Sequence, residues 1–342
     1  MSEFVTLDAI RAAKDRISGV AVRTPLYRLE RARLQMAKLP EPEFDLYIKA
    51  ESEQPIGSFK LRGAYNMVAQ LSPEERLRGV ITYSSGNHAQ GVAYAAKALG
   101  AKAVIVMPSN APQVKKAATK ALGAEIVEVG PASSERRMKA EELVAEFGYA
   151  MIPPYDASQI IAGQGTCGLE IVEQLPDVDL VIAPVSGGGL LSGVATAIKL
   201  AAEAGLASPN IKVWGAEPEV AADARESFYS KKLVEWPAEK TVRTLADGLR
   251  TQSLGDLNFA HILRHVDGIV TVTEEEIQAA IRIYLTATKL IPEPSGAVTL
   301  AAAIFHAKEL PKVRKVAVVL SGGNLEPALR EKLEAEIAAA TV

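Results

Sequence analysis

The sequence predicts an α/β protein with parallel sheets flanked by helices, arranged as two domains. Three observations carry that expectation. Short apolar runs recur without the alternation of a half-exposed strand, as at 102–107 and 316–320, and such runs suit strands buried on both faces. A glycine- or serine-containing turn and a longer helix-like stretch follow most of these runs. At 342 residues the chain exceeds one typical domain.

The elements follow in order. The first helix opens at Thr6 or Leu7, where Thr6 can cap it and Asp8 suits its positive end. Thr24-Pro25-Leu26 then breaks the helix and turns the chain. Strands over 79–83, 102–107 and 125–129 alternate with helices over 87–99, 111–122 and 134–147. Pro153-Pro154 interrupts this rhythm. It restarts with a strand over 180–183, a turn over 186–189, a helix from Leu190 and a strand over 212–216. Residues 226–245 are polar and irregular. Thr273, with Glu276 three residues on, forms a capping-box pattern at a helix start. The last buried strand is 316–320. The expected division is a small domain over 71–154, inserted into a large one made of 1–70 and 155–342.

Composition excludes several classes. Net charge is −3, and no basic stripe interleaves with aromatics, so no nucleic-acid partner is expected. One cysteine, Cys167, rules out an intrachain disulfide and a Cys-rich metal site. It reads as a buried packing residue and fits a reducing, cytoplasmic compartment. No basic-then-apolar leader opens the chain, and no apolar run is long enough for a membrane span.

Four motifs carry chemistry. Lys60 stands just inside a helix start in Gly57-Ser58-Phe59-Lys60, where an amine is placed to hold an aldehyde cofactor as a Schiff base. Ser186-Gly187-Gly188-Gly189-Leu190 joins a strand to a helix. Its backbone N–H groups and the helix dipole suit a phosphate, though alone it fits a purely steric turn equally well. It matches neither the dinucleotide fingerprint nor a Walker loop. Ser84-Ser85-Gly86-Asn87-His88 offers hydroxyls, an amide and backbone donors suited to a carboxylate, or simply a capped helix start. Ser321-Gly322-Gly323-Asn324 follows the last strand and alone is a plain turn.

Together and in that order, the motifs resemble the fold-type II pyridoxal-phosphate enzymes, with the tryptophan synthase β-like fold. The branch resembled is that of the serine/threonine dehydratases and serine racemases, over about residues 6–327. The resemblance implies that Lys60 carries the cofactor, Phe59 packs against its ring and Asn87 bonds its ring hydroxyl. It implies that Ser186, Gly187, Gly188, Gly189 and Leu190 hold the phosphate, that Gly248 lies near the cofactor, and that Ser321 faces the pyridine nitrogen. Ser84, Ser85, Gly86, Asn87, His88 and Arg136 become substrate contacts, with a plain surface role for Arg136 as the alternative.

Ser85 stands where many threonine dehydratases carry alanine, and where serine racemases and hydroxyaspartate dehydratases carry serine. Its hydroxyl would be a second catalytic acid–base group opposite Lys60, or would only bind the substrate carboxylate. Glu217, the Ala221 carbonyl and Asp223 become ligands of Mg2+, Ca2+ or Mn2+, in a stretch that alone reads as a solvated acidic loop. Glu293-Pro294-Ser295-Gly296 stays unassigned, and His261, His265 and His306 form no ligand-like cluster.

The implied activity is dehydration and deamination of L-threonine or L-serine to a 2-oxo acid and ammonia, with Lys60 taking the Cα proton. A neutral Ser321 at the ring nitrogen makes a weaker electron sink, which favours elimination or racemisation over transamination. The alternatives are a serine racemase using Lys60 and Ser85, or a 3-hydroxyaspartate ammonia-lyase. A non-enzymatic binding protein has no need for such a lysine. The implied partners are a small amino-acid substrate and further copies of the chain, as a homodimer or homotetramer.

Overall fold

The computed structural model describes residues 4–36, 42–84, 86–111, 113–130 and 133–341. Its strands are β1 (Leu26–Leu29), β2 (Asp45–Ala50), β3 (Val80–Tyr83), β4 (Ala103–Pro108), β5 (Glu125–Val129), β6 (Ala150–Met151), β7 (Leu180–Pro184), β8 (Lys212–Pro218), β9 (Gly268–Val272) and β10 (Lys315–Leu320). They form a six-stranded sheet in the order β1-β2-β10-β7-β8-β9 and a four-stranded sheet in the order β5-β4-β3-β6. The chain leaves the larger sheet after β2, builds the smaller one, and returns at β7. All pairs are parallel except β1 with β2.

Both sheets are covered on both faces, which is why their central strands β4, β7 and β10 are almost wholly apolar and buried. Along β10, Val316, Val318 and Leu320 point into a core with Ile277, Ile281, Tyr284 and Val298. Ala317 and Val319 point the other way, to Ile10, Ile171, Val194 and Ile198. In the smaller sheet Val80, Ile105 and Met107 pack against Val92, Ala95 and Ala96. Ile81, Val104 and Val106 pack against Ala140 and Leu143 on the opposite face. Each such buried aliphatic side chain contributes about 1.5–3 kcal/mol over its exposed state.

The expected elements are present, with ends displaced by a residue or so. Thr6 Oγ1 accepts from Ala9 N at 3.1 Å and opens the helix Leu7–Arg16. That helix stops well before Thr24-Pro25, at a turn containing Gly19 with φ 77°. Thr273 and Glu276 make the reciprocal capping box of Glu274–Ala287. The stretch 226–245 is more ordered than its polarity suggests. The helix Asp223–Ser230 runs into it and a short one, Ala238–Thr241, lies within it. Among the described residues, no helix is long and apolar enough to cross a membrane.

Parallel pairing brings strand ends together. Leu320 of β10 pairs with Ala50 of β2, and Val318 with Ile182 of β7. The turns that follow β2, β7 and β10 therefore leave the same edge of the sheet, the edge where open α/β sheets bind ligands.

Candidate active site

Two of the four motifs are stitched directly to each other. Ser58 bridges Gly322, Phe59 N donates to Ser321 O at 3.0 Å, and Gly323 N donates to Gly57 O at 2.9 Å. Lys60 starts the helix Lys60–Val68 with Phe59 as its cap residue, and its Nζ lies 5.3 Å from the Phe59 ring centroid. Gly57 has φ 72°, and a Cβ there would lie 2.5 Å from Asn324 Oδ1, so the turn requires glycine.

Lys60 is half-buried along its length, with Nζ donating to Pro154 O at 2.7 Å. Burial pushes its pKa down to about 8, against the opposing pull of Glu293. Asn87 joins the third motif to the same place. Its Nδ2 donates to Glu293 Oε1 at 2.7 Å and its Oδ1 accepts from Asn324 Nδ2 at 2.7 Å. Glu293 is buried, which raises its carboxyl to about 7, with the charge of Asp247 adding to the rise. His88 is turned away from such chemistry. Its Nε2 faces Ile152 O at 3.0 Å, and burial, with the Lys60 charge, lowers its pKa to about 3. The carbonyl can only accept, so Nε2 carries the proton and the ring is neutral. Ser84 Oγ accepts from Gly86 N at 3.4 Å. Ser85 lies outside the described residues.

The glycine turn follows β7. Ser186 adopts φ 58° and Gly188 φ 93°, and the helix Gly189–Glu203 starts immediately after. Ser186 sits in a region uncommon for a side-chain-bearing residue. Its Oγ donates to Gly248 O at 3.0 Å and lies 3.2 Å from Thr251 Oγ1, while Gly248 N donates to Ser295 Oγ at 3.0 Å. The Tyr155 ring packs against the turn, within 2.5 Å of where a Gly187 Cβ would stand. Segment 154–156 thus touches both Lys60 and the glycine turn. Leu190 is buried, and Arg136 is half-buried on the helix Ser133–Phe147, its pKa lowered by that burial.

Beneath Lys60 lies a dry ionic cluster. Arg62 Nε donates to Glu51 at 2.7 Å, and its Nη1 and Nη2 donate to Glu170 at 2.7 and 2.8 Å. Lys49 Nζ donates to Glu170 at 2.6 Å and to Thr24 O at 2.7 Å. All four charged side chains are buried. The guanidinium holds Glu51 below the usual carboxylate range. This cluster fixes the helix that carries Lys60 to β2 and to the helix Ser158–Gln174.

Glu217 at the end of β8 and Asp223 at the start of Asp223–Ser230 are both buried, with Ala221 buried between them. Burial and the neighbouring Asp223 charge raise Glu217, and burial raises Asp223 to about 7. Glu217 Oε1 accepts Arg225 N at 2.6 Å, whereas Asp223 Oδ2 is buried with no hydrogen-bond partner. Among the described residues no group of three or more His, Cys, Asp or Glu side chains gathers as a metal site.

Sequence reasoning missed Tyr155, Asp156 and Thr251, and left Glu293 and Ser295 unassigned. Pro153-Pro154 marked a break in the chain, not the residues beside it. Glu293 carried a visible signal, an acid at a Pro-Ser-Gly helix start.

The donor set fits pyridoxal phosphate: an amine for its aldehyde, backbone amides at a helix start for its phosphate, and Asn87 and Ser321 tied by hydrogen bonds to the turns around Lys60. Comparison with known proteins agrees. Residues 17–322 match the model of the family described as pyridoxal-phosphate dependent enzyme, and the chain belongs to that family. It is 41% identical to L-threo-3-hydroxyaspartate ammonia-lyase of Saccharomyces cerevisiae, over 82% of this chain and 83% of that one. It is 37% identical to serine racemase of Schizosaccharomyces pombe, over 94% of each. Among solved structures, the threonine deaminase of T.th. superimposes with a TM-score of 0.85 at 43% identity, covering 94% of this chain and 99% of that one. The chain is therefore a fold-type II pyridoxal-phosphate enzyme, with pyridoxal phosphate as its cofactor.

Proposed function

We propose that this enzyme dehydrates and deaminates L-threonine or L-serine, releasing a 2-oxo acid and ammonia. The observation that carries the reading is the Lys60 amine at a helix start, its Nζ donating to Pro154 O and its turn stitched to Ser321 and Gly323, with burial lowering its pKa. Pyridoxal phosphate, when bound, supplies an electron-accepting ring that takes the pair left when a Cα bond breaks.

In this reading Lys60 would hold the cofactor aldehyde, and its free amine would accept the Cα proton. Phe59 would support the ring, Asn87 would bond its hydroxyl, and Ser321 would offer a neutral hydroxyl to its nitrogen. Residues 186–190 would hold the phosphate, with Gly248 alongside. Ser84, Gly86 and the Asn87 backbone receive the substrate carboxylate at a helix start. Loss of the β-hydroxyl as water follows loss of the Cα proton, and water returns when ammonia is released. The relatives named as an ammonia-lyase and a deaminase support this reaction class.

Ser85 favours a second reading, racemisation, since the family resemblance gives a serine at this position a role opposite Lys60 and one relative is a serine racemase. The same proposal includes a divalent cation at Glu217, Ala221 and Asp223, supported by the unpartnered Asp223 oxygen. It includes a mobile small domain over 71–154 that closes on the remainder to exclude water, and a cytoplasmic homodimer or homotetramer, which sizing by light scattering would test.

The deciding experiment follows L-threonine, L-serine and L-threo-3-hydroxyaspartate by NMR in D2O. A 2-oxo acid without D-enantiomer supports the lyase. D-Serine carrying deuterium at Cα makes the enzyme a racemase. Purified protein should absorb at about 410–420 nm and Lys60→Ala should not. A wild type that takes up no pyridoxal phosphate overturns the reading.

A further inference from the structure

The glycine turn is shaped from behind by an asparagine with no motif around it. Asn258, in the helix Asp256–His265, is completely buried. Its Nδ2 donates to Gly187 O at 2.9 Å, and its Oδ1 accepts from Ser192 Oγ at 2.8 Å. Gly187 O also accepts from Gly255 N at 3.1 Å. A Cβ on Gly188 would lie 2.9 Å from the Asn258 Cβ, so side chain and turn are in contact.

Asn258 is itself held. Asp156 Oδ1 accepts from the backbone N–H of Leu257 and of Asn258, each at 3.1 Å, and so caps the helix that carries the asparagine. Asp156 adjoins Tyr155, whose ring packs on Gly187. The turn is gripped by groups that are satisfied elsewhere. Gly187 O is committed to Asn258 and Gly255, and Gly188 N to Val185 O at 3.2 Å. The amides of Gly189 and Leu190 open the helix Gly189–Glu203, where the first turn has no intrahelical acceptor for them and an anion can take that place.

We propose that Asn258 is a positioning residue for the cofactor phosphate. By anchoring Gly187 O, with Ser192 fixing the amide's orientation, it sets the direction of the amides that meet the phosphate. It touches neither cofactor nor substrate. This rests on the reading of residues 186–190 as the phosphate turn.

The test titrates apoprotein with pyridoxal phosphate and, separately, with pyridoxal, which lacks the phosphate, and follows the visible absorbance. Asn258→Ala should bind pyridoxal phosphate roughly tenfold more weakly or worse, while its affinity for pyridoxal stays within about twofold of wild type. Ser192→Ala should show a smaller loss with the same selectivity, and it decides the matter if Asn258→Ala does not fold. The phosphorus NMR line of the bound cofactor should shift in both variants. Equal losses for the two ligands, or no loss, would overturn the proposal, because a merely structural residue does not distinguish them. A wild type that binds both ligands alike would instead remove the phosphate reading of the turn, and the proposal with it.

Discussion

Beneath Lys60, Glu51 and Glu170 are buried against Arg62 and Lys49, while at the end of β8 Glu217 and Asp223 are buried against each other. Both pairs of acids are equally dry. In the first, two cations meet two anions and each charge is hydrogen-bonded. In the second, both carboxyls rise above their ordinary range and one oxygen has no partner. Buried charge is tolerated when paired, and uncompensated burial is costly. The contrast separates acids that complete a framework from acids whose charge no neighbouring cation compensates.

The sharpest way to break the comparison is Arg62→Met. It leaves two buried carboxylates facing one lysine, and should cost about 3–5 kcal/mol of unfolding free energy in a denaturant titration. A loss below about 1 kcal/mol would mean the cluster is not a framework. Next, Mg2+ or Ca2+ at a hundredfold excess over its Kd should add about 2.7 kcal/mol to wild-type stability. Asp223→Asn should abolish that gain. In cation-free buffer the same variant should be neutral or stabilising, opposite in sign to Arg62→Met. Stability indifferent to divalent cations would cancel the contrast.

The smallest effect concerns Lys60, whose amine lies between the two cases, with Glu293 as its opposing charge. Its folded pKa of about 8 is below the ordinary 10.5. Between these values the unfolded chain binds more protons, so this group's contribution to apoprotein stability rises with pH across that window. The stability advantage of apo Lys60→Met over wild type should therefore shrink as pH goes from 8 to 10.5. A constant difference would show that the amine is not depressed.

Much of this was legible because chemistry and local structure coincide. Lys60, Asn87, Ser186 and Ser321 each stand in a short motif at a strand or helix end, and strand ends are what an apolar run marks. The rest was not local. Glu170 meets Lys49 across 121 residues and Glu293 meets Asn87 across 206. Asn258 is one polar residue in an ordinary amphipathic helix, and only the packing of that helix on the glycine turn gives it a task. β1, β2, β6 and β9 were missed: β1, with Tyr27 and Arg28 exposed, and β2, with Asp45 and Lys49 in it, lack an uninterrupted apolar run, and β6 is two residues long.

The position of β10 bears on how the molecule comes into being. It enters the larger sheet between β2 and β7, and Ser321 and Gly322 beyond it complete the turn that holds Lys60. During synthesis Lys60 emerges about 250 residues before the strand that supports it. Until then β2 and β7 present open edges to other chains, and such long-range closure is slow. The complete support of Lys60 therefore requires β10 in place between β2 and β7.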